Sequence, residues 1–252
     1  MADIYETERL LAEYLLFHYG DAGDVFTGGW EAAGMRDALH FPERCVNGCF
    51  DVSAIPHGAR GLDVGCAVGR ASFEFARYCQ SVIAIDRSSR FIDAANVLKR
   101  NGEVAFGRLE EGARTTRCLA RVPGEIVRSR VSFETGDAME LRGDLGAFDL
   151  VLAANLLCRL ENPAKFLARL PALVKPGGQL AITTPCTWLE AFTPRANWLC
   201  GDTASTLDGL HAHLDTDFNI EKQLDLPFLI REHARKFQWT LAQATLWRRH
   251  GG

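Results

Sequence analysis

The chain has 252 residues, 47% of them hydrophobic, which suffices for one well-filled core and is short for two independent domains. We therefore predict a single domain over residues 1–252. The formal net charge is −4 and the basic residues are dispersed, which argues against nucleic acid as a partner. No apolar run approaches the ~20 residues that span a bilayer, and the first ten residues are acidic where a signal peptide is basic. We expect a cytoplasmic protein with no membrane contact.

Eight cysteines are scattered along the chain. Only Cys45 and Cys49 are close in sequence, and their spacing is not the C-x-x-C of zinc or redox sites. We expect reduced thiols, mostly in the core, as a reducing compartment favours. No bound metal is expected.

The predicted elements begin with an amphipathic helix over residues 5–19, where apolar residues recur at helical spacing and Gly20 follows as a C-cap. The glycine-rich residues 21–34 predict a mobile loop. Residues 1–50 are thus expected to form an N-terminal helical lid outside the sheet.

From residue 61 onward, short apolar strands alternate with helices. The predicted strands are 61–64, 81–86, 131–135, 148–153 and 179–184. The predicted helices are 71–79, 89–100 and 164–174, the last ended by the Lys-Pro-Gly-Gly of residues 175–178. Residues 101–130 exceed an ordinary connection and predict an accessory insertion. Two tail strands, at 218–224 and 237–246, complete a mostly parallel sheet with helices on both faces, a doubly wound α/β fold.

Three strand ends carry residues suited to a nucleoside cofactor. Gly65 permits a tight turn and close approach to a ligand, and Gly69 lets a helix start against the strand. Asp86 ends the next strand, where a carboxylate can accept ribose hydroxyls, and Asp137 follows the third, where an acid can accept the adenine amine. Taken singly, these residues are explained as a turn and helix caps. In series they favour a cofactor site. An enzyme that binds a dinucleotide cofactor is an open alternative, although nothing in the sequence resembles a nicotinamide half-site.

These motifs resemble the class I methyltransferases, whose pattern is Asp-x-Gly-x-Gly-x-Gly with acids after the second and third strands. Asp63, Gly65 and Gly69 match, Ala67 replaces the middle glycine, and Lys-Pro-Gly-Gly before a strand is also typical. The resemblance implies a Rossmann-like sheet of seven strands, S-adenosylmethionine as cofactor and S-adenosylhomocysteine as product. We expect Arg44 to hold the cofactor carboxylate, with a surface salt bridge as the alternative. The expected cofactor contacts are Tyr14, Arg44, Asp63, Gly65, Cys66, Ala67, Gly69, Asp86, Arg87, Asp137, Ala138 and Asn155.

A narrower similarity is to the methyltransferase of ovothiol biosynthesis, also found as the C-terminal domain of ovothiol-forming sulfoxide synthases. The similar segments are residues 14–20, 41–46, 62–70, 154–156, 184–189 and 231–237. This resemblance implies methylation of the imidazole π nitrogen of mercaptohistidine, a small amino acid, to give ovothiol A. No sulfoxide-synthase segment accompanies it. We therefore expect a stand-alone enzyme in transient contact with an upstream sulfoxide synthase or lyase.

Such a transfer is a one-step displacement that needs positioning and a dry site more than covalent help. The catalytic candidates are Asn155, His18 and His233. Asn155 ends the fourth strand, and its alternative role is a strand-end cap. Arg231, Glu232 and His233 suit a zwitterionic amino acid, with a solvated connection as the alternative. The expected substrate contacts are Tyr5, His18, Asn155, Arg159, Thr187, Trp188, Arg231, Glu232 and His233.

Several alternatives remain open. His18 shares a helix face with Tyr14 and is explained equally by packing, while Trp188 suits a pocket wall or the core. A methyltransferase of the same fold acting on another small amine, acid or thiol fits the cofactor motifs as well. A non-catalytic module that binds S-adenosylmethionine is the second alternative.

Overall fold

A seven-stranded sheet organises the protein, and a computed structural model describes residues 4–28 and 34–251. The strands are β1 (Arg60–Val64), β2 (Ser81–Asp86), β3 (Glu103–Glu111), β4 (Arg114–Arg121), β5 (Val131–Thr135), β6 (Phe148–Ala154), β7 (Val174–Thr184), β8 (Phe218–His233) and β9 (Lys236–Arg249). The helices are α1 (Glu8–Tyr19), α2 (Ala22–Val25), α3 (Phe41–Asn47), α4 (Arg70–Phe75), α5 (Ser89–Asn101), α6 (Pro163–Leu167), α7 (Leu170–Leu173) and α8 (Thr206–Leu214).

The order of strands in the sheet is β5-β2-β1-β6-β7-β9-β8. The first five run parallel, whereas β9 is antiparallel to both of its neighbours. The carboxyl ends of the parallel strands therefore meet at one edge, where doubly wound sheets bind ligands. The predicted α/β fold with its mostly parallel seven-stranded sheet is confirmed.

Two apolar layers hold the helices against opposite faces of the sheet. One layer includes Phe73 and Phe91 from α4 and α5, and the other includes Phe166 and Leu210 from α6 and α8. Each of these four side chains is at most 1% exposed. Burial of such a side chain contributes about 1.5 to 3 kcal/mol, so both layers are substantial.

The predicted helix over residues 164–174 is wrong, because the segment forms two short helices, α6 and α7. Pro171 lies in the first turn of α7, where its missing backbone N–H costs nothing, but it cannot continue a preceding helix. Residues 175–178 belong to β7 and do not cap a helix. The predicted helix over 71–79 is also shorter, since α4 ends at Phe75.

The accessory insertion over residues 101–130 is a β-hairpin. Its strands β3 and β4 form a separate two-stranded antiparallel sheet. This insertion hairpin contacts α1, α5 and β8. It therefore lies beside the N-terminal segment.

The tail strands are much longer than predicted and form a hairpin that extends past the sheet. Gln243 of β9 pairs with Thr184, the last residue of β7, yet β9 continues to pair with β8 as far as Lys236. At about 3.3 Å per residue, this tail hairpin projects on the order of 20 Å beyond the carboxyl edge. Helix α1 packs against β8 in that projecting part of the molecule.

Three further helices, α2, α3 and α8, were not predicted. The predicted loop over residues 21–34 contains α2, capped by Asp21, while residues 29–33 lie outside the described residues. Helix α8 begins with a capping box in which Ser205 accepts from the amide of Asp208 and the Asp208 carboxylate accepts from the amide of Ser205.

Gly69 provides a test of the turn between β1 and α4. Its φ is +84°, and an added Cβ would lie 2.5 Å from Cε1 of Phe133, whereas Gly177 has φ +74° and open space around it. We expect Gly177→Ala to lower the free energy of unfolding by about 1 to 2 kcal/mol through backbone strain alone. Gly69→Ala adds steric overlap and should cost about 3 kcal/mol or more. Equal losses in urea unfolding would contradict the close packing of Phe133 on this turn.

Candidate functional site

The turn between β1 and α4 is fixed by backbone hydrogen bonds to the neighbouring strand. The amides of Gly65 and Cys66 both donate to the carbonyl of Ile85, at 2.8 and 3.1 Å. Ala67 has φ +47°, a left-handed conformation that costs a residue with a Cβ roughly 1 to 2 kcal/mol. Its amide donates to Oδ2 of Asp86 at 2.9 Å. The alanine thus adopts the conformation that a glycine would take, with its N–H directed at the acid.

Asp86 has its carboxylate fixed by two backbone donors, the second being the amide of Ser88, at 2.9 Å from Oδ1. Burial raises the pKa of Asp86, while these two hydrogen bonds and the charge of exposed Arg87 oppose the rise. An ionised carboxylate has about four acceptor positions, so two positions remain for hydroxyl groups. Asp86 is suited to hold a diol.

Asp63 is fully buried behind the turn, at 1% exposure. The hydroxyl of Ser72 donates to its Oδ2 at 2.6 Å. Burial raises the pKa of Asp63 to about 7; the Ser72 hydrogen bond opposes this rise and the charge of Asp86 adds to it. The neighbouring Cys66 thiol is also buried, which raises its pKa and keeps it protonated. A cationic group placed between these acids would favour their ionised forms.

The end of β5 lies next to the end of β2. The amide of Gly136 donates to the carbonyl of Asp86 at 2.9 Å, and Asp137 accepts from the amide of Met139 at 2.8 Å. Asp137 therefore acts as a cap for the short turn that contains the nearly buried Ala138. The structure brings these two residues to the same edge as Asp86.

The N-terminal segment covers this edge. The hydroxyl of Tyr19 donates to the carbonyl of Val68 at 2.8 Å, and the hydroxyl of Ser88 donates to the carbonyl of Tyr5 at 3.0 Å. The Tyr14 ring lies 4.8 Å from that of Phe91, between centroids. Burial raises the pKa of Tyr14, so its phenol stays protonated at neutral pH. The predicted helical lid lies where the sequence analysis expected it.

The imidazole of His18 is neutral, and one of its ring nitrogens makes no hydrogen bond to the described residues. The side chain is 7% exposed, and its Nδ1 has no hydrogen-bond partner among the described residues. Burial lowers the pKa of His18 to about 3, with a further contribution from the Arg70 guanidinium. A general base that works near neutrality needs a higher pKa. His18 is therefore neutral near pH 7 and a poor proton carrier.

Asn155 follows β6 in a left-handed conformation, at φ +51°. Its amide donates to the carbonyl of Thr183 at 2.8 Å, and its Oδ1 accepts from the Thr183 hydroxyl at 3.0 Å. Asparagine tolerates this conformation better than most residues. These bonds to Thr183 are those of a strand-end cap, the alternative role that the sequence analysis gave to Asn155.

Arg159 forms a polar cluster with two tyrosines over the ends of β6 and β7. Its guanidinium lies 4.7 Å from the ring centroid of Phe192 and donates to the carbonyl of Cys158 at 3.1 Å. The Tyr5 hydroxyl bonds with Arg159, and Tyr14 bonds with Tyr5. Thr187 is exposed nearby, its carbonyl 3.4 Å from Arg159 Nη1. Phe192, which the sequence analysis missed, has no local motif and is recognised only by this contact.

Arg44 has another role than the one predicted, and Trp188 takes one of its two predicted roles. Arg44 donates to the carbonyls of Leu39 and Pro227, so it joins the N-terminal region to the tail hairpin rather than holding a ligand at the turn between β1 and α4. Trp188 is 8% exposed and donates to the hydroxyl of Thr206 at 2.9 Å. Trp188 thus belongs to the core, which decides between its two interpretations.

The three consecutive ionisable residues of the tail hairpin do not meet the strand ends. Arg231 is buried and its guanidinium is bound by Glu110, which leaves no accessible face for a substrate carboxylate. Glu232 pairs with Lys236, and Nδ1 of His233 accepts from the amide of Arg235. The predicted substrate role of these residues is corrected, because they lie at the far turn of β8 and β9.

Comparisons with known proteins agree with this geometry. Residues 62–182 match the sequence profile of the family described as Methyltransferase domain. The methyltransferase GfsG of Streptomyces halstedii is 27% identical over 160 residues, 63% of this chain and 50% of that protein. The ubiquinone biosynthesis O-methyltransferase of Coxiella burnetii is 24% identical over 161 residues, 64% of this chain and 58% of that protein. The aligned part thus spans little more than half the length of these relatives.

Solved structures share the fold. The [4+2]-cyclase SpnF superposes with a TM-score of 0.60 at 17% identity, covering 98% of this chain and 94% of that chain. The N-methyltransferase NodS from Bradyrhizobium japonicum WM9, in complex with S-adenosyl-L-homocysteine, gives a TM-score of 0.53 at 16% identity, covering 95% and 98%.

The fold is that of the class I methyltransferases. The matched profile and these curated relatives are described as methyltransferases, which is what the chain is similar to.

In residues 4–28 and 34–251, no helix combines the length and apolar character needed to cross a membrane. Across the same ranges, no three His, Cys, Asp or Glu side chains group as metal ligands.

The raised pKa of Asp63 predicts how the free energy of unfolding depends on pH. An acid with a folded pKa of about 7, against ~3.9 unfolded, binds its proton more tightly when folded. Its contribution to stability is therefore complete below about pH 4 and is lost as pH rises through 7, at up to about 1.4 kcal/mol per unit. Asp63→Asn cannot titrate, so its free energy of unfolding relative to wild type should rise from pH 5 to pH 8. The exposed Asp202→Asn serves as control, and a pH-independent difference for Asp63→Asn would contradict the assignment.

Proposed function

We propose that this protein transfers a methyl group from S-adenosylmethionine to the imidazole π nitrogen of mercaptohistidine, giving ovothiol A. The observation that carries the cofactor part is Asp86, a half-buried carboxylate fixed by two backbone amides with acceptor positions left for a ribose diol. The acceptor part is supported by the similarity to the ovothiol methyltransferases along nearly the whole chain, together with the cation of Arg159 beside the lid.

The residues present fit this cofactor. Asp86 would accept the ribose hydroxyls, Asp137 the adenine amine, and the buried Asp63 would favour the cationic methionyl end. Gly65 and Ala67, both left-handed, bring backbone close to the ligand. When bound, S-adenosylmethionine supplies an electrophilic methyl group on a sulfonium.

The residues around Arg159 would hold the acceptor. The guanidinium would pair with the amino-acid carboxylate, and its position over Phe192 limits its movement. Asn155 would orient the imidazole ring from the end of β6. Because a thiolate is the stronger nucleophile, the site must hold sulfur away from the methyl group, which makes positioning the main catalytic contribution.

Proton transfer contributes little in this proposal. Burial moves the pKa of His18 to about 3 and the pKa of Tyr14 well above neutrality, so neither group exchanges a proton at pH 7. A base is needed only to keep the attacking nitrogen unprotonated or to collect the ring proton after the methyl group has been transferred. The lid instead excludes water, which strengthens the electrostatic contacts inside the site.

A hydroxyl acceptor is the second candidate. It is favoured by the curated relatives that are named ubiquinone biosynthesis O-methyltransferases. The cofactor residues are the same in both candidates, and only the acceptor distinguishes them.

The cofactor assignment predicts a binding defect in Asp86→Asn. Loss of a charge-assisted hydrogen bond costs about 1.5 to 3 kcal/mol, so the Kd for S-adenosylhomocysteine should rise about 10- to 100-fold. Calorimetry measures the Kd, and stabilisation of wild type by ligand gives a second readout. Asp202→Asn, at an exposed acid, should bind like wild type. A well-folded wild type that binds neither S-adenosylmethionine nor its product would refute the assignment.

The acceptor assignment predicts that mercaptohistidine is methylated on the π nitrogen and that histidine is a poor substrate. When histidine binds, the protein groups that would bind the thiolate have no partner, which costs about 1 to 3 kcal/mol for each group. The kcat/KM for histidine should therefore be roughly tenfold or more below that for mercaptohistidine. Mass and NMR spectra identify the methylated atom. Methylation on sulfur, or comparable kcat/KM for the two compounds, would contradict this acceptor, and turnover of a phenol alone would favour the second candidate.

A matched pair of variants tests Arg159 in the same assay. Arg159→Met keeps an apolar contact with Phe192 but removes the charge, and should raise the acceptor KM about tenfold or more with a smaller change in kcat. Arg195 also lies over an aromatic ring, that of Trp198 at 5.8 Å, but its side chain is 72% exposed and pairs with Asp202. Arg195→Met should therefore leave KM unchanged.

A further inference from the structure

A buried ion-pair cluster joins the insertion hairpin to the tail hairpin. Oε2 of Glu110 in β3 lies 2.6 Å from Nη2 of Arg231 in β8, and Oε1 lies 2.8 Å from Nη2 of Arg108. The three side chains are 8%, 1% and 9% exposed, in that order. We call these residues the Glu110 cluster. One carboxylate thus orients two guanidinium groups from different hairpins.

Both arginines of the Glu110 cluster also hold helix α2. Arg108 Nη1 donates to the carbonyl of Asp24 at 2.7 Å, and Arg231 Nη1 donates to the carbonyls of Asp24 and Val25 at 2.9 and 3.1 Å. Carbonyls in the last turn of a helix lack partners within it and carry partial negative charge. The cluster supplies the donors that these carbonyls need.

The position of α2 bears directly on the candidate site. Only Gly20 and Asp21 separate α2 from α1, which carries His18 and the Tyr19 hydroxyl that bonds to the glycine turn. Residues 4–28 form one covering segment, which we call the cap. Fixing its α2 end restricts how far α1 moves from the strand ends.

Fold stability alone does not account for the Glu110 cluster. Replacing a buried ion pair by apolar side chains of similar volume is often neutral or stabilising, because desolvation offsets the attraction between the charges. Apolar side chains, however, have no N–H groups to offer the α2 carbonyls. The feature that only the charged cluster provides is the attachment of the cap.

We propose that the Glu110 cluster is a positioning device that holds the cap closed over bound S-adenosylmethionine and sets the rate at which the cofactor leaves. This proposal rests on the proposed function of the site. Glu110, Arg108 and Arg231 act through the cap and touch neither cofactor nor acceptor.

The test replaces the cluster with apolar residues in the full chain, as Arg108→Met, Glu110→Leu and Arg231→Met together. The cooperative unfolding transition should be kept, while amides of α1 and α2 exchange hydrogen about tenfold faster or more. S-adenosylhomocysteine should dissociate about tenfold faster, because the cap opens more often. With saturating cofactor and acceptor, kcat should stay within about twofold of wild type.

The control removes an exposed ion pair from the same hairpin. Glu103→Leu with Arg121→Met breaks a 3.0 Å pair whose side chains are 53% and 64% exposed. This variant should match wild type in cap exchange and in ligand dissociation. If the triple variant fails to fold, Glu110→Gln is measured with the same readouts, since it breaks both ion pairs at nearly constant volume.

A folded variant with wild-type cap exchange and wild-type ligand dissociation would overturn the proposal. So would faster cap exchange with unchanged dissociation, because the cap would then not retain the cofactor. If wild type itself binds no S-adenosylhomocysteine, the proposed function fails. Wild-type cap exchange in the variant would still refute attachment of the cap by the cluster, so the two failures are distinguishable.

Discussion

The hydrogen bond from the Ala67 amide to the Asp86 carboxylate is the contact on which the candidate site depends. It connects the turn after β1 to the end of β2 and places the half-buried Asp86 close enough for its charge to oppose ionisation of the fully buried Asp63. Like charges in a dry environment are costly unless a cation joins them. A ligand with a sulfonium and an ammonium group meets that electrostatic requirement, and a neutral nucleoside does not.

Local sequence patterns were sufficient to predict the residues at the strand ends. They were insufficient to predict the hairpins that pack beyond those strand ends. The turn at Gly65 and the acid at Asp86 follow from short-range periodicity, and both lie where the sequence predicted. The hairpin at 103–121 was missed because two inward positions of β3, Arg108 and Glu110, are charged, so the alternation of apolar residues breaks off. Their partner Arg231 lies 121 residues from Glu110, and no local rule pairs residues across such a separation.

The similarity to SpnF limits what can be inferred about the reaction from the fold. A [4+2]-cyclase shares this architecture over almost the whole chain, so the sheet alone does not fix the chemistry. In the proposed function, acceptor choice depends instead on the cap and on the loops after β6 and β7, through Arg159, His18 and Asn155.

The place of β9 in the sheet has a consequence for how the molecule folds. This strand, at residues 236–249, lies between β7 and β8, so β8 has no partner in the sheet until β9 has inserted. The cap at residues 4–28 packs on β8. These N-terminal residues therefore reach their final position only after C-terminal residues have joined the sheet. Contacts of such high sequence separation form slowly, because loop closure must precede them. The βαβ core can form early, whereas the contacts between the cap and β8 form only after the tail hairpin is in place.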